Sequence, residues 1–360
     1  MNKTTTKANN TINATETTLE LRNYAIKLSK LDQDEILKKL KIKHYKKNIL
    51  NMTKAEILKE FGKTPKTLNK SLFIKNVIWQ TYEYIKAGHN PVDKGNLRSF
   101  WYHIKDVMYK VGSKKDEADI VSEMFMLMVK SGLFKYKDFD FEDDDKGNRW
   151  HARKFPYIIL FAEKVDYNDV LREVNTEFDI TTIATGGQPS CLSAEYFVSE
   201  LKERNVDISR EFLFFSIVDF DPSGDIIATN FVDNLIDNGI KNIRIFPGTF
   251  YKYFKRKDLV LPENMTPEQK KKTYLLPLKI RKSGLSAKWA EKTGGVNGKK
   301  NILYGIASNR MSKIQLKEVF AAKLSETIQI NLEQIAKYRE MKTLKQEMQL
   351  FALKKLQLET

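Results

Sequence analysis

The sequence has a single cysteine, Cys191, in 360 residues. One thiol excludes an intramolecular disulfide and a cysteine-rich zinc site, and it fits a reducing compartment. Long apolar runs are also missing: no stretch approaches the roughly 20 residues that a bilayer-spanning helix needs, so no membrane association is expected. The amino terminus lacks the apolar core of a secretory signal; Met1-Asn2-Lys3-Thr4 opens an Asn/Thr-rich stretch to about Thr18, which reads as a disordered polar tail. No Gly-x-x-x-x-Gly-Lys-Ser/Thr loop occurs, so any ATP dependence would have to come from another chain. What the sequence does have is positive charge: 62 Lys and Arg against 46 Asp and Glu, a net +16. Each cation placed on a phosphate releases condensed counterions, so nucleic acid is the leading partner class. The competing explanation is a lysine- and asparagine-rich composition inherited from a genome's base bias.

At this length two globular units plus tails are expected. After the tail (1–18), residues 19–65 carry short amphipathic patterns (Leu19, Leu21, Ile26, Leu28, Leu31; then Ile36, Leu37, Leu40) and read as a helical extension ended by Gly62 to Pro65. Residues 66–152 give three helices in a row: an apolar set from Leu72 to Ile85, a second helix over Leu97 to Val111, and a third from about Lys115 to Lys130. The acidic turn Asp143-Asp144-Asp145-Lys146-Gly147 suits the tip of a β-hairpin. Three helices and a hairpin make a winged helix, a common DNA-binding unit that also serves as a plain structural module.

Residues 153–325 read differently. Short runs that are apolar throughout (Tyr157 to Ala162, Ile180 to Thr185, Phe212 to Val218, Ile243 to Phe246) alternate with helical stretches. Strands apolar on both faces mark a parallel sheet covered on both sides, so this half is α/β and the chain as a whole α+β. Tyr251 to Gly298 is lysine-rich and takes no clear assignment. Residues 326–360 read as a terminal helix, solvated or partner-binding, with Leu344, Met348, Phe351, Leu353 and Leu356 set among charges.

The chemistry-bearing feature is where carboxylates sit relative to those strands. The first strand ends at Glu163-Lys164 and the third at Asp219-Phe220-Asp221-Pro222-Ser223-Gly224. Ligands of open α/β sheets bind just outside the carboxyl ends of the strands. Asp219 and Asp221, two residues apart in extended chain, can face one point, where two carboxylates repel unless a cation lies between them. Glu163, Asp219 and Asp221 therefore make a candidate site for Mg²⁺, a hard cation that takes carboxylate oxygen. The plainer alternative is a polar loop after a buried strand, with Asp as a local cap.

A strand ending in Glu163-Lys164, a Gly186-Gly187-Gln188-Pro189 loop, and a strand ending in Asp219 to Gly224 resemble the Toprim domain of topoisomerase VI A subunits, whose close relative is the meiotic double-strand-break transesterase. Upstream, Arg98-Ser99-Phe100-Trp101-Tyr102 is similar to the family segment that ends in the catalytic tyrosine. The resemblance covers residues 70–325. It implies Tyr102 as the nucleophile, Arg98 one helical turn before it on the same face, and Glu163, Asp219 and Asp221 as the Mg²⁺ acids. It also implies double-stranded DNA as substrate, a homodimer in which the tyrosine of one subunit meets the metal site of its partner, and a separate ATPase B subunit. The implied reaction is type IIB topoisomerase cleavage and rejoining, in a cytoplasmic, nucleoid-associated setting, or in the nucleus if the source is eukaryotic. Ser99 stands where the family usually carries an acidic residue, and Pro189 to Ala194 departs from its usual loop. Two other readings remain: a Toprim nuclease that uses water, and a non-catalytic DNA-binding accessory protein. Tyr82, Tyr84 and Tyr109 are the alternative tyrosines.

Overall fold

The computed structural model describes residues 20–89, 95–113, 115–187, 189–246, 296–297, 302–303, 308, 312–328, 340–341 and 343–351. The expected tail and most of Tyr251 to Gly298 lie outside them. The first part of the chain is built from short helices fixed at their ends. Helix α1 covers residues 20–28 and α2 Gln33–Leu40, where the Asp32 side chain accepts the Glu35 N–H at 2.8 Å. Thr53 and Glu56 cap α3 (Lys54–Phe61) reciprocally, each side chain accepting the other's backbone N–H. Gly62 stops α3, and the chain doubles back through a small hairpin, β1 (Gly62–Thr64) against β2 (Thr67–Leu68).

Helix α4 (Lys70–Lys86) holds this extension down with two buried amides one turn apart. Gln80 accepts the Ile49 N–H at 2.8 Å and donates to the Tyr45 and Lys47 carbonyls, while Asn76 accepts the Lys43 N–H and donates to the Lys41 carbonyl. A loop without regular structure thereby has its backbone groups satisfied. Helices α5 (Leu97–Lys110) and α6 (Ala118–Lys130) complete the three-helix set. Phe100 on α5 and Phe125 on α6 meet edge to face at 4.9 Å, and Phe134, Phe139 and Phe141 close around Phe125 at 5.0–6.1 Å.

The expected wing is corrected here. Residues 136–139 and 146–148 form single 3₁₀ turns, and β3 (Arg149–Trp150) pairs antiparallel with β5 of the large sheet rather than with a neighbouring strand. The acidic segment is a turn, with Asp143 accepting the Asp145 N–H, but it tips no hairpin.

The second part is a mixed α/β unit. After β3 come β4 (Phe155–Ala162), α7 (Asn168–Phe178), β5 (Ile180–Ala184), α8 (Cys191–Glu203), β6 (Glu211–Ile217), α9 (Pro222–Asp237) and β7 (Asn242–Phe246). A short antiparallel pair, β8 (Val296–Asn297) and β9 (Ile302–Leu303), and helix α10 (Lys313–Ile328) follow. The sheet order is β3-β5-β4-β6-β7, parallel except for β3. Ile158, Leu160 and Ala162 of β4, with Leu213, Phe215 and Ile217 of β6, pack against α7 and α10. Phe161 and Phe214 face the other way and meet Phe231 of α9, Phe161 stacked on it and Phe214 tilted against it. Burying both faces is why these strands read as continuous apolar runs; each buried Phe contributes roughly 2 kcal/mol.

The chain divides into two compact units, 1–146 with 190–199, and 147–189 with 200–360. Among the described residues no helix is long and apolar enough to cross a membrane.

Candidate active site

From β4 the chain runs outward to β5 on one side and then to β6 on the other, so the strand order reverses between β4 and β6. In open α/β sheets such a reversal is the usual ligand position, just outside the carboxyl ends of the two strands. Glu163 leaves β4 there, and Asp219 leaves β6 two residues after Ile217. The ladder runs one step further: the Glu163 N–H donates to the Ile217 carbonyl at 3.1 Å, and the Glu163 carboxylate accepts the Asp219 N–H at 3.1 Å. A side chain from one strand thus fixes the exit of the next.

The Asp219 to Gly224 corner is tight. The Asp221 N–H donates back to the Asp219 carbonyl at 2.9 Å, and Asp221 Oδ1 accepts the Gly224 N–H at 2.8 Å, capping α9, which opens on Pro222. A Cβ on Gly224 would stand 2.2 Å from the Asp219 carbonyl oxygen, so only glycine fits. Gly187, with φ +114°, donates its N–H to the Glu163 carbonyl at 3.0 Å and brings the loop after β5 to the same edge. Gln188 of that loop lies outside the described residues.

The three carboxyls do not titrate alike. Burial pushes Glu163 up, helped by the negative charges of Asp219 and Asp221 and opposed by the Asp219 N–H and Lys164. Burial pushes Asp221 up as well, with Asp219 adding to it and the α9 N–H groups opposing. Burial acts in the same direction on Asp219, but hydrogen bonds from Lys164 and Ser308 outweigh it and hold this carboxyl below its ordinary value. Lys164 Nζ lies 2.7 Å from Asp219 Oδ1, and the Ser308 N–H and Oγ–H each donate to the same oxygen at 2.8 Å.

Two crowded carboxyls that resist ionising are the environment a cation relieves, so the donor chemistry suits Mg²⁺. Among the described residues no group of three or more His, Cys, Asp or Glu side chains is disposed to hold a metal ion. Asp219 Oδ1 takes its bonds from Lys164 and Ser308, and Asp221 Oδ1 takes the Gly224 N–H at the start of α9. Ser308 was not legible as part of this corner, being 89 residues downstream of Asp219 with no motif around it.

In the amino-terminal unit, α5 separates its consecutive aromatics by phase. Phe100 and Trp101 are buried, at 0% and 1% exposure, while Tyr102 is 57% exposed. Core packing therefore does not account for Tyr102. Arg98 lies one turn earlier, where a hydrogen bond to Tyr102, then the charges of Tyr102 and Asp116, hold its guanidinium above its ordinary pKa. Arg98 also donates to Asp116 at 3.1 Å. Lys105 Nζ lies 5.6 Å from the ring centres of both Tyr102 and Tyr109. Arg98, Tyr102, Lys105 and Tyr109 recur at spacings of four, three and four and form one stripe, exposed except at the half-buried Lys105. Tyr82 instead packs against Trp79, Phe134 and Phe139, and Tyr84 is half-buried. The divergent segment after Pro189 is the start of α8, with Ser190 Oγ accepting the Ser193 N–H and Cys191 packed against the helical core.

The chain matches no protein-family model and no curated protein sequence.

Proposed function

We propose that the protein is a DNA-cleaving transesterase of the topoisomerase VI A-subunit type, with Tyr102 as nucleophile and the Glu163, Asp219 and Asp221 corner as the phosphate-activating centre. The observation that carries this reading is that Glu163 and the Asp219 to Gly224 corner leave the adjacent parallel strands β4 and β6 at their carboxyl ends, joined by the bond from the Asp219 N–H to the Glu163 carboxylate. The exposed Tyr102 beside Arg98, and the net charge of +16, support DNA and a covalent route.

The chemistry follows from what each group does. A phenol with pKa near 10 is a poor nucleophile at neutral pH and needs a cationic neighbour. Arg98, hydrogen-bonded to Tyr102, can share a phosphate oxygen with the attacking phenol. Tyr102 Oη attacks a backbone phosphorus; the new O–P bond replaces the bond to the 3′ oxygen, which takes up a proton while the phenol loses one. The product is a 5′-phosphotyrosyl ester that conserves the bond for resealing. Mg²⁺ held by Glu163, Asp219 and Asp221 would neutralise charge on the phosphate and leaving oxygens. Two chains acting as a homodimer would cut both strands, and an ATPase B subunit would supply any nucleotide dependence.

Supercoiled plasmid incubated with the protein and Mg²⁺, with and without a candidate B subunit, then quenched in detergent, tests this. Protein-linked 5′ ends lost in Tyr102→Phe are expected. Metal-dependent cleavage with free ends that survives Tyr102→Phe would instead establish a hydrolytic nuclease, and DNA binding without cleavage in every arm an accessory protein.

A further inference from the structure

We infer that Lys164 is a tethered cation that occupies the acidic corner in place of a divalent ion, so that metal binding requires its displacement. The inference rests on the proposed metal assignment and adds the regulation of that site. Its grounds are geometric. Lys164 directly follows Glu163 at the end of β4, yet its ammonium reaches across to β6 and lies 2.7 Å from Asp219 Oδ1. Both side chains are largely shielded, at 29% and 24% exposure, where an ion pair is less screened than on an open surface. The same oxygen takes the Ser308 N–H and hydroxyl at 2.8 Å each, so Asp219 is held by three donors. Those donors engage the oxygen of Asp219 that a metal ion would need.

A lysine in this position has two effects. Without metal it offsets the repulsion between the crowded carboxylates and keeps the corner folded. When a divalent cation arrives, the ammonium must leave Asp219, because two cations cannot share that oxygen without strong mutual repulsion. The displaced ammonium is then available to a phosphate oxygen of the substrate. Substrate and metal would thus enter together, and the corner would resist loading with metal alone.

The test is Mn²⁺ binding to the full chain at fixed ionic strength, read as free Mn²⁺ by paramagnetic resonance. The wild type would be compared with Lys164→Met, Lys164→Arg and Asp219→Asn. Lys164→Met removes the charge at similar length and should bind Mn²⁺ roughly tenfold tighter. Lys164→Arg keeps the charge and should bind as weakly as the wild type, which separates charge from any damage to the fold. Asp219→Asn should lose binding. Equal or weaker binding by Lys164→Met, with Asp219→Asn still defective, would overturn the competition and leave the metal site standing. No binding by either wild type or Lys164→Met would remove both, and the protein-linked-end assay would then show whether the transesterase reading survives without a metal.

Discussion

At the scale of single residues, neighbours on α5 should behave oppositely. Trp101 is buried, and Trp101→Ala should cost about 3–5 kcal/mol in chemical denaturation. Tyr102→Phe removes one exposed hydroxyl, so its melting temperature should stay within a degree or two of wild type while covalent DNA linkage disappears. The sequence made this contrast partly readable: helical phase separates Tyr102 from Phe100 and Trp101, but only packing against α6 shows which side is inside. Lys75 was not readable. It sits among apolar residues of α4 and donates to the Leu40 carbonyl at 2.9 Å; burial, with a smaller contribution from Lys41, lowers its pKa from 10.5 to about 8. Below pH 8 both folded and unfolded states hold the proton and the burial penalty is complete. Between about 8 and 10.5 the unfolded chain binds more protons, so stability rises with pH across that window. Thermal melts should show that rise in the wild type and a flatter profile in Lys75→Met; an identical profile would place the effect elsewhere.

At the scale of elements, the tightest constraint is the turn between β6 and α9. Gly224→Ala forces a Cβ to 2.2 Å from the Asp219 carbonyl, so the turn must open and the acids separate. The expected result is loss of both divalent-cation binding and cleavage, with helix content largely kept by circular dichroism. The extension held by α4 gives a second case. Gln80→Ala leaves the Ile49 N–H and the Tyr45 and Lys47 carbonyls without their partner, and a loss of about 3 kcal/mol is expected in urea unfolding. The strands of the parallel sheet were legible because burial on both faces leaves an unbroken apolar signature, and the carboxyl-end rule then pointed to Glu163, Asp219 and Asp221. The wing was misread for the opposite reason. Asp143 to Gly147 has turn chemistry, but Arg149 and Trp150 pair with Thr182 and Ile183, more than thirty residues away, and local pattern carries no such information. Lys164 stood in plain view beside Glu163, yet its reach to Asp219 depends on β4 and β6 lying side by side.

At the scale of the whole molecule, the chain joins a helical unit bearing an exposed tyrosine among cations to an α/β unit bearing an acidic corner. A net charge of +16 predicts DNA affinity that falls steeply with salt, and Lys105→Ala on the α5 stripe should reduce the slope of log K against log salt by about one. The central claim is that Tyr102 becomes bonded to DNA. The direct measurement is mass spectrometry of the protein after reaction with duplex DNA and Mg²⁺, denaturing arrest, nuclease digestion and trypsin. A nucleotide-bearing peptide spanning Ser99 to Lys105, with the added mass localised to Tyr102, is the predicted result. Cleaved DNA with that peptide unmodified, or with the nucleotide on a different tyrosine, would contradict the account.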